Sequence, residues 1–247
     1  MCTIGAIKMG GKFFLFKNRD KIEPEKEYIE RKEGHLFIKS KYNGRIAAGI
    51  NRGGVAFVRS EVISIDLIKK IYQKWSSDIT TVIPKQTHPI ELLVTIFDGI
   101  KSAMEAVSFL LGSKNRFKPS NVILIDKERI FSLEINEEES EVKEVVDSII
   151  KTNHFSSLEF GPHEDGDYPS SFERERYANS MINGIDTLPK LKNFLASHEN
   201  KERDFNICRH FISSTVSSCI VDPKEKRMWY CDTSPCRGKY KLYNLRK

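Results

Sequence analysis

Met1-Cys2-Thr3-Ile4-Gly5-Ala6-Ile7-Lys8-Met9-Gly10-Gly11-Lys12-Phe13-Phe14-Leu15-Phe16-Lys17-Asn18-Arg19-Asp20 opens the chain, two apolar runs on either side of a glycine pair. Residues 3–8 and 12–16 alternate or run apolar, and glycine supplies the positive φ that a tight turn needs, so the segment predicts a β-hairpin. Antiparallel pairing then returns Lys17-Asn18-Arg19-Asp20, at the end of the second strand, to the side of Cys2. A thiol, two cations and a carboxylate are thereby expected within one strand width of each other.

Outward from this hairpin, strands are predicted at 36–38, 45–50 and 55–58, with Gly53-Gly54 punctuating the last two. Ile90, Leu93, Phe97, Ile100, Met104, Val107 and Leu111 recur at steps of three and four, the stripe of one amphipathic helix that Gly112 stops. Strands are expected again at 122–125, 130–135 and 142–146, with Glu137-Glu138-Glu139 as a solvated turn. Helical patterns follow at 171–181 and 187–195, and strands at 215–221 and 227–231 around an Asp222-Pro223 turn. No repeat, low-complexity tract or linker interrupts the 247 residues, so the chain reads as a single domain, 1–247, of mixed α+β class.

Composition narrows the function classes. Hydrophobic residues make up 39% and charged residues 30%, the balance of a globular rather than a disordered chain. No apolar run approaches the ~18 residues of a membrane span, and charge follows the first residues too soon for a secretory leader. A cytoplasmic location is the expectation. Five cysteines, an odd number without framework spacing, agree with it. The net charge of +6 comes from interspersed signs, which does not predict nucleic-acid binding. Arg237 to Lys247, basic and interleaved with Tyr240 and Tyr243, reads as a strand with one solvated face.

Cys2 is the first candidate for chemistry, the alternative being a small buried residue at the start of a strand. Its small side chain predicts removal of Met1, which would put a thiol and an α-amine on one residue. An α-amine has a reference pKa of about 7.7–8.0 and accepts protons near neutrality. It can therefore activate its own thiol without a histidine. Asp20 would hold the amine, and a cation from the same strand end would lower the thiol pKa.

The Met-Cys-Thr start and the Lys-Asn-x-Asp strand end resemble the N-terminal-nucleophile hydrolases of the penicillin V acylase and bile-salt (choloylglycine) hydrolase group. Gly49-Ile50-Asn51-Arg52-Gly53-Gly54-Val55 resembles that group's Gly-x-Asn turn, Thr152-Asn153-His154 its Thr-Asn segment, and Ser170-Ser171-Phe172-Glu173-Arg174 its Ser-Ser-x-x-Arg helix start. Ile207-Cys208-Arg209-His210, residues 215–218 and Pro235-Cys236-x-Gly238-x-Tyr240 resemble the isopenicillin-N acyltransferase branch. The likeness implies a four-layer α/β/β/α sandwich with two stacked antiparallel sheets. It also implies hydrolysis of a linear non-peptide amide, or acyl transfer to an amine, through a thioester. In the roles so implied, Cys2 is nucleophile, Asp20 positions the amine, and Asn153 donates to the oxyanion. Asn51, Arg59 and His154 are the expected substrate contacts, with a satisfied structural histidine the equal alternative for His154, and no cofactor is required.

The sequence departs from the group at Lys17, where bile-salt hydrolases carry arginine; Arg19, two residues on, shares the strand face and offers a guanidinium. Arg174 and Arg176 lie about 200° apart on a helix, so one of them is expected to reach the site. Cys208, Cys219, Cys231, Cys236 and His210 have no Cys-x-x-Cys spacing, and no metal site is expected from them. Cys219 and Cys231 read as small core residues. His163-Glu164-Asp165-Gly166-Asp167 lacks calcium-loop spacing and reads as a solvated loop, while Tyr72 and Trp75 read as core or acyl-pocket residues. The expected partner is a small-molecule N-acyl amide, with neither nucleic acid nor membrane; a homo-oligomer is left open. Two rival readings stand: a cysteine hydrolase using His154 or His210 as base, and an inactive basic binding module on the same fold.

Overall fold

The computed structural model describes residues 1–23, 25–64, 86–137, 139–162, 168–200 and 202–245. The predicted hairpin is formed by β1 (Cys2–Met9) and β2 (Lys12–Lys21), paired from Met9↔Lys12 to Cys2↔Arg19, with Gly10 and Gly11 at φ 54° and 71° in the turn. Then come β3 (Glu27–Arg31), β4 (His35–Ser40), β5 (Ile46–Asn51) and β6 (Ala56–Glu61). Helices α1 (Pro89–Val94) and α2 (Ala103–Leu111) precede β7 (Phe117–Ile125), β8 (Ile130–Glu137) and β9 (Glu139–Val145). The chain continues through β10 (Ser148–Lys151), α3 (Pro169–Ile182), α4 (Leu188–Leu195), β11 (Ser214–Asp222), β12 (Arg227–Cys231) and β13 (Lys241–Asn244).

Two antiparallel sheets result. One is a seven-stranded meander in sequence order β3 to β9, and the other has six strands in the order β10-β1-β2-β11-β12-β13. Ile4, Leu15, Ile50, Val58, Ile123 and Val221 fill the space between them. The meander's other face carries Phe57 and Leu124 against α1 and α2, while Phe16 and Ile220 of the six-stranded sheet meet Ile182 and Phe194 of α3 and α4. The layers are therefore helix, sheet, sheet, helix, as expected. β2 shows why residues 12–16 read as an unbroken apolar run: Phe13 and Leu15 enter the inter-sheet core, and Phe14 and Phe16 face the helices.

Three elements differ from expectation. The single helix predicted from Ile90 to Leu111 is broken, with a 3-10 turn at Phe97–Gly99 between α1 and α2. Asn51 Nδ2 donates to the carbonyls of Phe97 (2.5 Å) and Ile100 (2.8 Å) and so ties β5 to the break, inside which the Phe97 carbonyl also accepts the Ile100 amide (3.2 Å). Ser102 caps α2 by accepting from the Glu105 amide (3.1 Å), and Asp126 accepts from the Ala103 amide (2.8 Å). Met104 and Leu111, read as part of the stripe, are not in the buried set, and Leu111 is exposed. Strands β3 and β10 are edge strands that the pattern does not announce, β3 being charged and half-exposed and β10 only four residues long. Residues 163–167, Tyr72 and Trp75 lie outside the described residues.

Candidate active site

Cys2 begins β1 opposite Arg19, and the strand's alternation sends its thiol, with Lys17 and Arg19 of β2, into one end of the inter-sheet space. β5 and β6 close that end from the other sheet. The result is a cleft, open to solvent, whose walls include Cys2, Lys17, Arg19, Arg45, Arg59 and Glu61. Both basic candidates of β2 reach it. Lys17 Nζ donates to the carbonyls of Arg59 (2.5 Å) and Ala47 (3.3 Å). Arg19 pairs with Glu27 and with Glu25 (2.7 Å). Arg59 Nε donates to the Ile46 carbonyl (3.4 Å), and its guanidinium lies 3.3 Å from Glu61.

The cations dominate the thiol. Burial opposes ionisation of Cys2, yet Lys17, the chain-terminal ammonium and Arg19 outweigh burial and the repulsion of Asp20, so its pKa falls below the ordinary thiol value. Burial lowers the Lys17 ammonium in turn, against the pull of the Cys2 thiolate. Removing the Lys17 charge is therefore expected to raise the thiol pKa. In Lys17→Met, the pH midpoint for alkylation of Cys2 by iodoacetamide should move up by about one unit or more. An unchanged midpoint in the folded variant would take Lys17 out of the thiol's electrostatics.

The opposite face of the hairpin is built differently. Arg174 on α3 is fully buried and donates to the Cys2 carbonyl (3.0 Å), Thr3 Oγ1 (2.9 Å) and Asn153 Oδ1 (3.0 Å). Asp20, also fully buried, lies with Oδ2 3.6 Å from Arg174 and 3.9 Å from Arg209, while Oδ1 accepts from Thr215 Oγ1 (2.8 Å). Arg176 points away, exposed and paired with Glu173, so Arg174 is the member of that pair at the site. Asn153 follows β10, with its amide donating to Ser171 Oγ (2.9 Å). Its Oδ1 accepts from the Cys2 nitrogen (3.0 Å) and its Nδ2 donates to the Glu61 carbonyl (2.7 Å), which uses one of the two Nδ2 hydrogens.

Met1 extends the hairpin by one residue: its ammonium donates to the Asp20 carbonyl (3.0 Å) and the Asp20 amide donates back to the Met1 carbonyl (2.8 Å). The Cys2 nitrogen is an amide here, and loss of Met1 would turn it into an amine already facing Asn153 Oδ1.

Two expected substrate contacts are not brought to the cleft. Asn51 lies at the far end of β5, where Oδ1 accepts from the Val55 amide (2.9 Å) and Nδ2 holds the α1–α2 break; its amide is consumed in supporting backbone. His154 is buried, stacked on Phe172 at 3.8 Å, with Nδ1 2.9 Å from Ser171 Oγ and Nε2 3.7 Å from Glu175. Neither His154 nor His210, the bases that the Cys/His reading requires, lines the cleft.

Glu61, Thr215 and Arg209 were not among the expected site residues. Glu61 follows Arg59 by two on β6, the period that places both at the cleft. Burial opposes its ionisation, but the hydrogen bond from His88 (3.2 Å) and the Arg59 charge hold its carboxyl well below the usual range. Only the pairing of β11 with β2 reveals Thr215, which sits across from Asp20.

No protein-family model and no curated protein matches the chain. Solved structures do. An N-acylethanolamine-hydrolyzing acid amidase ortholog from Caenorhabditis elegans superposes with a TM-score of 0.62 at 14% identity, over 99% of this chain and 100% of that one. Penicillin V acylase from Agrobacterium tumefaciens gives 0.58 at 12% identity, over 99% and 86%. A variant of the conjugated bile acid hydrolase from Clostridium perfringens gives 0.57 at 12% identity, over 100% and 98%. At these identities the likeness is one of fold, and the fold is the N-terminal-nucleophile hydrolase sandwich.

Proposed function

We propose that the protein hydrolyses a linear, non-peptide N-acyl amide through Cys2, after removal of Met1. One observation carries this reading: the thiol at the start of β1 enters a cleft whose cations depress its pKa, while the nitrogen of the same residue is held by Asn153 Oδ1 at 3.0 Å. The names of the similar structures, an acid amidase, an acylase and a conjugated bile acid hydrolase, lend support.

In this mechanism the freed α-amine takes the thiol proton and sulfur bonds to the substrate carbonyl carbon. The remaining Nδ2 hydrogen of Asn153 faces the developing oxyanion; such a donor is typically worth about 100–1,000-fold in rate. The C–N bond then breaks as the α-ammonium protonates the leaving amine, giving a thioester. Water, deprotonated by the α-amine, adds to the thioester and expels the thiolate, which restores the enzyme. An acceptor amine in place of water would give acyl transfer, the finer alternative. Asp20 holds the amine in place between Arg174 and Arg209, and Arg174 orients both Asn153 and the Cys2 carbonyl. The substrate is a small molecule met in the cytoplasm; among the described residues no helix is long and apolar enough to cross a membrane.

The test is the intact mass of natively produced protein, followed by limited iodoacetamide labelling and turnover of a panel of N-acyl amides. Loss of Met1, preferential labelling of Cys2 and release of free amine are expected. Retained Met1 with Cys2 no more reactive than Cys208, Cys219, Cys231 or Cys236 would refute the mechanism.

A further inference from the structure

On the flank of the six-stranded sheet, four potential ligands from three separate segments converge. His198 follows α4, Cys208 and His210 precede β11, and Cys236 follows β12. One ligand atom from each lies within 4.8 Å of all the others. His210 Nε2 stands between the two thiols, 3.5 Å from Cys208 Sγ and 3.2 Å from Cys236 Sγ, and the rings of His198 and His210 meet edge to face at 4.9 Å. A tetrahedral zinc ion with bonds of about 2.3 Å to sulfur and 2.0–2.1 Å to nitrogen sets ligand–ligand edges of about 3.3–3.8 Å. The edge to Cys208 (3.5 Å) lies inside that range and the edge to Cys236 (3.2 Å) just below it, and the remaining pairs of ligand atoms are within 4.8 Å.

We propose that His198, Cys208, His210 and Cys236 bind one zinc ion in a Cys2His2 site. Thiolate and imidazole together suit zinc better than they suit calcium or magnesium. Four protein ligands fill the tetrahedron and leave no position for substrate, so the ion is structural. Both thiols release their protons to solvent as the two Zn–S bonds form. No covalent or redox step accompanies binding. Hydrogen bonds already tie the segments, since the Cys208 amide donates to the Ser197 carbonyl (3.2 Å) and Ser234 Oγ, in the turn that carries Cys236, to the Thr215 carbonyl (2.7 Å).

The position gives the ion a task. Arg209, between two of the ligands, donates its amide to Thr215 Oγ1 (2.9 Å) and accepts from the Thr215 amide (2.9 Å), and Thr215 Oγ1 donates to Asp20. The Arg209 side chain runs inward to within 3.9 Å of Asp20 Oδ2. Zinc would thus clamp the short segment that supports Asp20 from behind. The cysteine spacing hid the site because two ligands are histidines and Cys236 arrives from a distant turn.

The test uses the full chain without a polyhistidine tag, purified under reducing conditions. About one zinc per chain is expected by elemental analysis. Cobalt(II) added to the chelator-stripped protein should produce a thiolate-to-cobalt charge-transfer band and the intense visible bands of tetrahedral cobalt. His198 and Cys236 are exposed, so His198→Ala and Cys236→Ser are chosen to preserve folding, verified by circular dichroism. Each should weaken zinc binding by about 100-fold or more, at least what loss of a ligand's outer partner can cost. Three results would overturn the proposal: no thiolate-cobalt band in the reduced protein, bands unchanged in both variants, or a Cys208–Cys236 disulfide in protein never exposed to oxidant. None of these readouts depends on amide turnover.

Discussion

Cys2→Ala is expected to lower turnover of the best N-acyl amide by about 10⁴-fold or more, the scale seen when a catalytic nucleophile is removed. The same variant should unfold within about 1 kcal/mol of the parent, because only one sulfur atom leaves the start of a strand whose backbone pairing is unchanged. The loss would be specific to chemistry. Lys17 and Arg19 keep their carbonyl and carboxylate partners, so the cleft remains assembled. Cys2→Ser is informative beside it, since a hydroxyl ionises far less readily than a thiol and the cations around it cannot close that gap. Steady-state kinetics on protein with a verified N-terminus decide the matter. Full activity in Cys2→Ala would end the proposed mechanism, and the inactive binding module would then gain ground if anionic polymers bound the cleft with steep salt dependence.

The second large effect is on stability. Arg174→Leu should cost about 3–5 kcal/mol, the range for removing one partner of a buried ion pair. The guanidinium is fully buried and donates to the Ser170 carbonyl (2.8 Å), the Cys2 carbonyl, Thr3 Oγ1 and Asn153 Oδ1. Its loss takes a charged donor from each of these buried acceptors, although Asn153 Oδ1 keeps the Cys2 nitrogen, and among the described side chains it leaves Asp20 with Arg209 as its ion-pair partner at 3.9 Å. Buried acceptors without donors each carry a desolvation penalty, and that asymmetry makes the single deletion so costly. Urea denaturation at neutral pH should show a lower midpoint with an unchanged slope. Arg174→Lys should recover part of the stability by keeping the charge, and less of the activity, because one ammonium cannot hold Asn153 and the Cys2 carbonyl together. A loss below about 1 kcal/mol in Arg174→Leu would mean that the network around Asp20 is not held by this residue.

Much of the site was legible before folding. The turn at Gly10-Gly11 fixes the hairpin register, and register with strand alternation puts Lys17 and Arg19 on the face of Cys2. The choice between Arg174 and Arg176 reduces to helix phase, though the sequence offers no way to tell which phase faces the sheet. Motif position alone marks Asn51 as a ligand contact and leaves His154 either a contact or a structural histidine; in the fold both have internal partners.

What the chain determined by itself is therefore local: the turns, the strand and helix periods, and the chemistry offered by neighbours in one hairpin. These follow from backbone geometry over a few residues and need no distant partner. The remainder depended on contacts between remote segments. The break between α1 and α2 is held by Asn51 from β5, Thr215 meets Asp20 only through the pairing of β11 with β2, and His198 meets Cys236 only where three loops end side by side. Such meetings are set by how two twisted sheets and their helices pack, a property of the whole core that no single stretch of sequence carries.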